Sequence, residues 1–261
     1  MSVPQEVKDL INGSGNNFHA KVARWFQDEG WHITVSPYYM DQTQNKAREI
    51  DLIAEKAFPI TGRFGDPTAN SITLRLFVEC KYVPSHSVFW FTDKDLTEAK
   101  KLVCSSGVFR ENNSYTNKHH YLATSQKVAK LFSSNTQKGQ EVEPFYKALN
   151  QALNAFVSMR TKTLLLPSAQ GGHGKTKVLD FPIVVCSSFD KLWSVDFYNE
   201  SEAQKISDNF QLEVRYAYTD SRATNHDDYF LLDFVEFDKL SQFVTTITED
   251  AHTAAFMLSS S

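Results

Sequence analysis

The sequence predicts an α/β protein: an amphipathic helix, three apolar strands, a second helix and a strand, with a β-rich stretch beyond. Three observations predict it. Apolar residues recur at helical spacing up to Gly30 and alternate with polar ones after it. Strand-like runs rich in Ile, Val, Leu and Phe then return as far as residue 235. The chain has 261 residues, 41% of them hydrophobic and 13% aromatic, with only 10 Gly and 8 Pro, a composition that builds a core and excludes collagen-like and disordered chains.

Each element has its own signal. Phe18, Val22, Trp25 and Phe26 fall at i, i+4, i+7 and i+8, and Gly30 is placed to end that helix. Trp31–Ser36 alternates, and Ile50–Ala54 and Ile72–Lys81 read as two further strands. Between those two, Pro59–Asn70 carries Gly62, Gly65 and Pro67 and predicts a long hairpin loop. Thr92 is a candidate N-cap for a helix over 92–103, whose first turn is acidic. His120–Thr124 reads as a short strand leading into a helix over 126–132, and Pro144–Met159 as a longer helix. Phe181–Cys186, Leu212–Tyr218 and Tyr229–Val235 predict added strands, Lys239–Ile247 a closing helix, and 251–261 a loose tail. Two stretches follow from this order, a core at 14–132 and an extension at 133–261 packed on it.

Charge is unevenly distributed. The net charge is −4, yet residues 111–180 hold nine basic against four acidic residues, a net +5, and residues 181–261 hold five against fourteen, a net −9. Phosphate contacts dominate nucleic-acid affinity, so the middle stretch is the expected polyanion contact and the acidic last third the expected surface for a protein partner. No apolar run is long enough to span a membrane and the first residues lack a signal-peptide pattern, so a cytoplasmic protein with no membrane partner is expected. Cys80, Cys104 and Cys186 form neither a CxxC pair nor an even framework, which argues against a zinc knuckle or a disulfide scaffold.

The chemistry concentrates in Arg48-Glu49-Ile50-Asp51 and Glu79-Cys80-Lys81. Alternation puts Glu79 and Lys81 on one face of a strand and Cys80 on the other. If the two strands are neighbours, Asp51, Glu79 and Lys81 converge. Two carboxylates in one cleft repel unless protonated or bridged by a cation, and hard oxygen ligands suit Mg²⁺. A lysine beside such an ion orients an attacking water and stabilises charge developing on a phosphorus centre.

This constellation resembles the PD-(D/E)XK nuclease superfamily, with its restriction-endonuclease-like fold: the aspartate falls on Asp51 and the E-x-K on Glu79 and Lys81. The resemblance covers about residues 17–132. It implies divalent-metal-dependent endonucleolytic hydrolysis of DNA, in restriction or defence against foreign DNA, with Asp51 and Glu79 as metal ligands and Lys81 at the nucleophilic water. It also implies a homodimer where both strands are cut. The sequence departs from the family where many relatives carry an acidic residue on the first helix, because His19 stands there. His19 is then either a ligand, favouring Mn²⁺, or a helix-surface residue, and Glu49 shares a face with Asp51 as an outer ligand or a partner for Arg48.

Other features compete. Ala169–Thr176 nearly matches a phosphate-binding G-x-x-x-x-G-K-[ST] loop but leads toward a strand rather than a helix, leaving Lys175 and Lys177 as candidate nucleic-acid contacts. Lys118 precedes His119-His120 and is a third such contact, while the two histidines, read on a strand, point to opposite faces. The alternative from another class is a non-catalytic nucleic-acid-binding or assembly module on the same fold.

Overall fold

The predicted helical stripe of Phe18, Val22, Trp25 and Phe26 is present in the computed structural model, which describes residues 3–61, 67–134, 144–160, 176–199, 202–220 and 222–259. A short helix α1 (Gln5–Gly13) precedes α2 (Asn16–Asp28), which buries Val22, Ala23 and Phe26. Gly30 ends it with φ +76°, a left-handed conformation that glycine adopts at no steric cost. Strand β1 (His32–Val35) follows, then a separate two-stranded hairpin, β2 (Tyr38–Asp41) and β3 (Lys46–Glu49). Next come β4 (Leu52–Thr61), β5 (Pro67–Lys81), β6 (Ser87–Asp93), α3 (Leu96–Ser105), α4 (His120–Ala123), β7 (Lys127–Ser134) and α5 (Pro144–Met159). The chain closes with β8 (Lys177–Cys186), β9 (Leu192–Asp196), β10 (Gln204–Lys205), β11 (Phe210–Thr219), β12 (Asn225–Glu236) and α6 (Leu240–Ser259).

Ten strands form one mixed sheet in the order β1-β4-β5-β8-β12-β11-β7-β6-β9-β10. β1, β4 and β5 run as an antiparallel meander, and β8 joins β5 in parallel, with Lys81 opposite Cys186. β12 in turn lies parallel to β8. The stretches expected as core and extension thus share one sheet, since β8 and β12 lie between β5 and β7. Alternation along β5 supplies both faces. Leu74, Leu76 and Val78 pack with Val22 and Phe26 of α2, Val103 of α3, Tyr121 of α4 and Ile247 of α6. Phe77 turns the other way, toward Phe145, Leu149, Leu153 and Phe156 of α5 and Tyr39 of β2. Each such aromatic or aliphatic side chain contributes about 1.5–3 kcal/mol when removed from water. The result is a mixed α/β sheet with helices on both faces.

Several sequence expectations are corrected. Residues 120–124, expected as the fourth core strand, form α4 instead, because His119 Nδ1 accepts the Tyr121 N–H and starts a helical turn. Residues 126–132, expected as a helix, belong to β7, whose pairing with β6 overrides local preference. The strand beside β5 is therefore β8, reached through α5, and the restriction-endonuclease-like order of helix, three strands, helix and strand is met only through its first three strands, with a hairpin inserted. The loop expected at 59–70 is shorter, since β4 runs to Thr61 and β5 starts at Pro67. Asp95, not Thr92, caps α3: its carboxylate accepts from the Thr97 and Glu98 N–H groups. The tail expected at 251–261 continues α6 as far as Ser259 and buries Ala251, Ala254 and Met257. Gly62, Gly65 and nearly all of Ala169–Thr176 lie outside the described residues.

Candidate active site

Antiparallel pairing of Leu52 with Val78 puts Asp51 opposite Glu79 at the end of the β4–β5 ladder, so the two motifs meet as the sequence predicts. Their backbones tie them together reciprocally. The Cys80 N–H donates to Asp51 Oδ2 at 2.8 Å, and the Asp51 N–H donates to the Glu79 carboxylate. The Asp51 carbonyl accepts from the Ser36 N–H at 2.8 Å and from His19 Nε2 at 2.8 Å. His19 Nε2 is thereby the protonated nitrogen, and the histidine grips the aspartate's backbone rather than its carboxylate.

Burial dominates the electrostatics. Glu79 is 5% exposed, and its Oε1 has no hydrogen-bond partner among the described residues. Burial, reinforced by the charge of Asp51, pushes the Glu79 carboxyl well above its usual range, against the charges of Lys81 and Lys147. Burial also raises Asp51, opposed by the Cys80 N–H and His19, while Glu49 adds to the rise. Glu49 thus lies close enough to couple to Asp51. It does not pair with Arg48, which donates to Asp41 at 2.5 Å and to Gln44.

A buried carboxylate oxygen without a donor requires a proton or a cation. Asp51 and Glu79 supply hard oxygen donors on one side of the strand end, and Lys81 follows on the same face as Glu79. The donor set fits a divalent ion such as Mg²⁺ or Mn²⁺. The residue that sequence reading missed is Lys147 of α5, whose charge reaches Glu79. The apolar stripe of Phe145, Ala148, Leu149 and Ala152 marks the helix that carries it, but no spacing in the sequence ties Lys147 to Glu79.

The three expected nucleic-acid contacts do not gather here. Lys177 starts β8 opposite Ile72, nine residues before Cys186, which pairs with Lys81; at about 3.3 Å per residue it lies about 30 Å from the site. Lys118 is exposed with its Nζ 4.7 Å from the Tyr115 ring centre, and its neighbours His119 and His120 pack on the opposite face of the sheet. Lys175 lies outside the described residues.

That opposite face holds a second polar cluster. His119 and His120, expected to diverge, stack at 4.8 Å because they occupy a helix start rather than a strand. His120 Nδ1 lies 2.5 Å from Asp250 Oδ2 and its Nε2 3.2 Å from Asp233 Oδ2. Burial opposes the charge on His120, but Asp250 and Asp233 prevail and hold its pKa at about 9. Burial lowers His119 to about 3, so it stays neutral. Lys94, lowered by burial to about 8, donates to the Tyr121 carbonyl at 2.8 Å and feels the Asp233 charge. His119, His120 and Asp250 offer donors within 4.8 Å of one another, close enough to hold a metal ion. With two carboxylates, one imidazolium and one ammonium, the cluster is also balanced without one.

Comparison with protein-family models, with curated proteins and with solved structures finds no match to this chain. No helix among the described residues is long and apolar enough to cross a membrane.

Proposed function

We propose that the chain is a divalent-metal-dependent nuclease that hydrolyses DNA phosphodiester bonds at Asp51, Glu79 and Lys81. The observation that carries this reading is Glu79: a carboxylate 5% exposed, with one oxygen unpaired among the described residues, set beside a second carboxylate and followed by a lysine on the same face. Leaving such a group unsatisfied costs about 1–3 kcal/mol or more, a cost that a binding site accepts and a structural ion pair does not. Asp51 and Glu79 would hold Mg²⁺ or Mn²⁺, which supplies a water of lowered pKa and neutralises phosphate charge. His19 and Ser36 fix the Asp51 carbonyl, so the carboxylate is aimed by the backbone rather than by a free side chain. Lys81 places an ammonium where it donates to a phosphoryl oxygen and offsets charge arriving there.

Cleavage of supercoiled and linear DNA with Mg²⁺, Mn²⁺ or a chelator tests the reading. Metal-dependent nicking that vanishes in Lys81→Ala is the expected result. Folded protein that leaves every substrate intact with either metal sinks it and favours the binding module.

A further inference from the structure

Every residue of α1 from Gln5 to Ile11 is exposed, although the helix is amphipathic. At about 100° per residue, Val7, Leu10 and Ile11 fall within one arc of about 100°, and Val3, just before the helix, continues the stripe four residues ahead of Val7. The exposures are 51% for Val3, 42% for Val7, 73% for Leu10 and 46% for Ile11. Isolated helices shorter than about 12–15 residues are marginal in water, and most of their stability in proteins comes from packing of the apolar face. A helix of 9 residues with that face uncovered therefore calls for an occupant. We propose that the occupant is the same stripe of a second copy of this chain, with the two α1 helices side by side and parallel about a two-fold axis. The nuclease reading is not needed for this pairing.

Charge selects the partner and the direction. Glu6 lies about 90° from the middle of the stripe on one flank, and Lys8 about 110° from it on the other. A two-fold axis parallel to the helices sets each Lys8 across the seam from the partner's Glu6, two residues or about 3 Å along the axis. An antiparallel pair would instead set Glu6 against the partner's Glu6 and Lys8 against the partner's Lys8, two like-charge contacts. A lipid surface fits worse, because interfacial helices carry Lys and Arg on the polar face, whereas here Lys8 is outnumbered by Glu6 and Asp9. The joint to α2 is pinned: Ser14 Oγ and Asn17 Nδ2 donate to the Ile11 carbonyl at 3.1 and 2.8 Å, which holds the stripe in a set direction. Few side chains meet, so the contact is weak, with a Kd between about 1 μM and 1 mM.

Sedimentation equilibrium of the full chain over a concentration series, in chelator and without nucleic acid, tests the pairing. Wild type should pass from monomer to dimer. Leu10→Asp should raise Kd at least about 100-fold, since both copies lose a buried leucine. Lys8→Glu and Glu6→Lys should each raise it roughly 2- to 30-fold, and the double variant should return to the wild-type value because both pairs are restored in reverse. All three positions are exposed, and circular dichroism checks that each variant is folded; should Leu10→Asp fail to fold, the charge exchange decides alone. No association by wild type up to about 1 mM, a dimer indifferent to folded Leu10→Asp, or a double variant no tighter than the single ones would overturn the proposal.

Discussion

Two carboxylate pairs sit on opposite faces of this sheet, and the fold treats them in opposite ways. Under α6, Asp233 and Asp250 are bridged by His120, backed by Lys94, and every ring nitrogen of His120 has a partner. Gln211 Nε2 donates to the remaining oxygen of Asp233 at 3.1 Å. At the end of β5, Asp51 and Glu79 each accept from a backbone N–H and feel the charge of Lys81, yet Glu79 Oε1 has no hydrogen-bond partner among the described residues. A closed network holds the fold together, whereas an incomplete one is a place for something to bind.

The largest expected effect comes from opening the closed network. His120→Ala leaves two buried aspartates facing each other without the imidazolium and should cost about 3–5 kcal/mol. At about 2–4 °C per kcal/mol for a chain of this size, thermal unfolding should show a fall of roughly 10 °C. A loss below 2 °C would show that the cluster is not the balanced structural element described.

Lys81→Ala should act on chemistry instead. Removing one preorganised positive group should slow cleavage about 10²–10³-fold, measured under saturating Mg²⁺, with the melting temperature little changed. Equal losses of activity and stability would erase the contrast between the two regions.

Glu79→Gln sharpens the contrast by a smaller amount. A carboxyl raised by burial favours the protonated form in the fold, so stability is lost as pH rises from its unfolded value near 4.5 through the raised folded one. In chelator, wild type should melt lower at pH 8 than at pH 5 by more than the Gln variant does. Added Mg²⁺ should recover the difference in wild type only, and identical pH slopes in the two proteins would refute the assignment.

The closed cluster has a pH signature of its own. The contribution of His120, facing Asp233, Asp250, Lys94, His119 and Tyr121, is fully present below about 6.5 and is lost as pH rises through about 9. His119, held down near 3, costs stability as pH falls below 6.5. Together they place a maximum near pH 6.5, visible as a shallow peak in denaturant midpoints. His120→Gln should remove its alkaline side.

The candidate triad was legible because its residues lie at the facing ends of two consecutive strands, where alternation alone orients Glu79, Cys80 and Lys81. Helices α2 and α5 were legible for the same kind of reason, a stripe at helical spacing. Lys147 was not, because 66 positions separate it from Lys81 and only the packing of Phe145, Leu149 and Leu153 under the sheet brings it near. The misread pair at 120–132 shows the complementary limit. Short apolar runs fit helix or strand equally, and the choice was made by the His119 cap at one end and by β6 at the other. The separate hairpin β2–β3, four residues in each strand with only Tyr39 and Asp41 buried, is too short to leave a clear periodic signal.

The strand order has one more consequence, for the chain as it leaves the ribosome. When residue 134 has emerged, β5 and β7 both exist, but β8 and β12, which fill the space between β5 and β11, have yet to be made. Until residue 186 emerges, the edge of β5 that β8 will cover is bare, and a loop closure of about a hundred residues remains. Nascent chains are therefore open to strand-to-strand association over that interval, and a fragment cut at 134 should aggregate rather than fold.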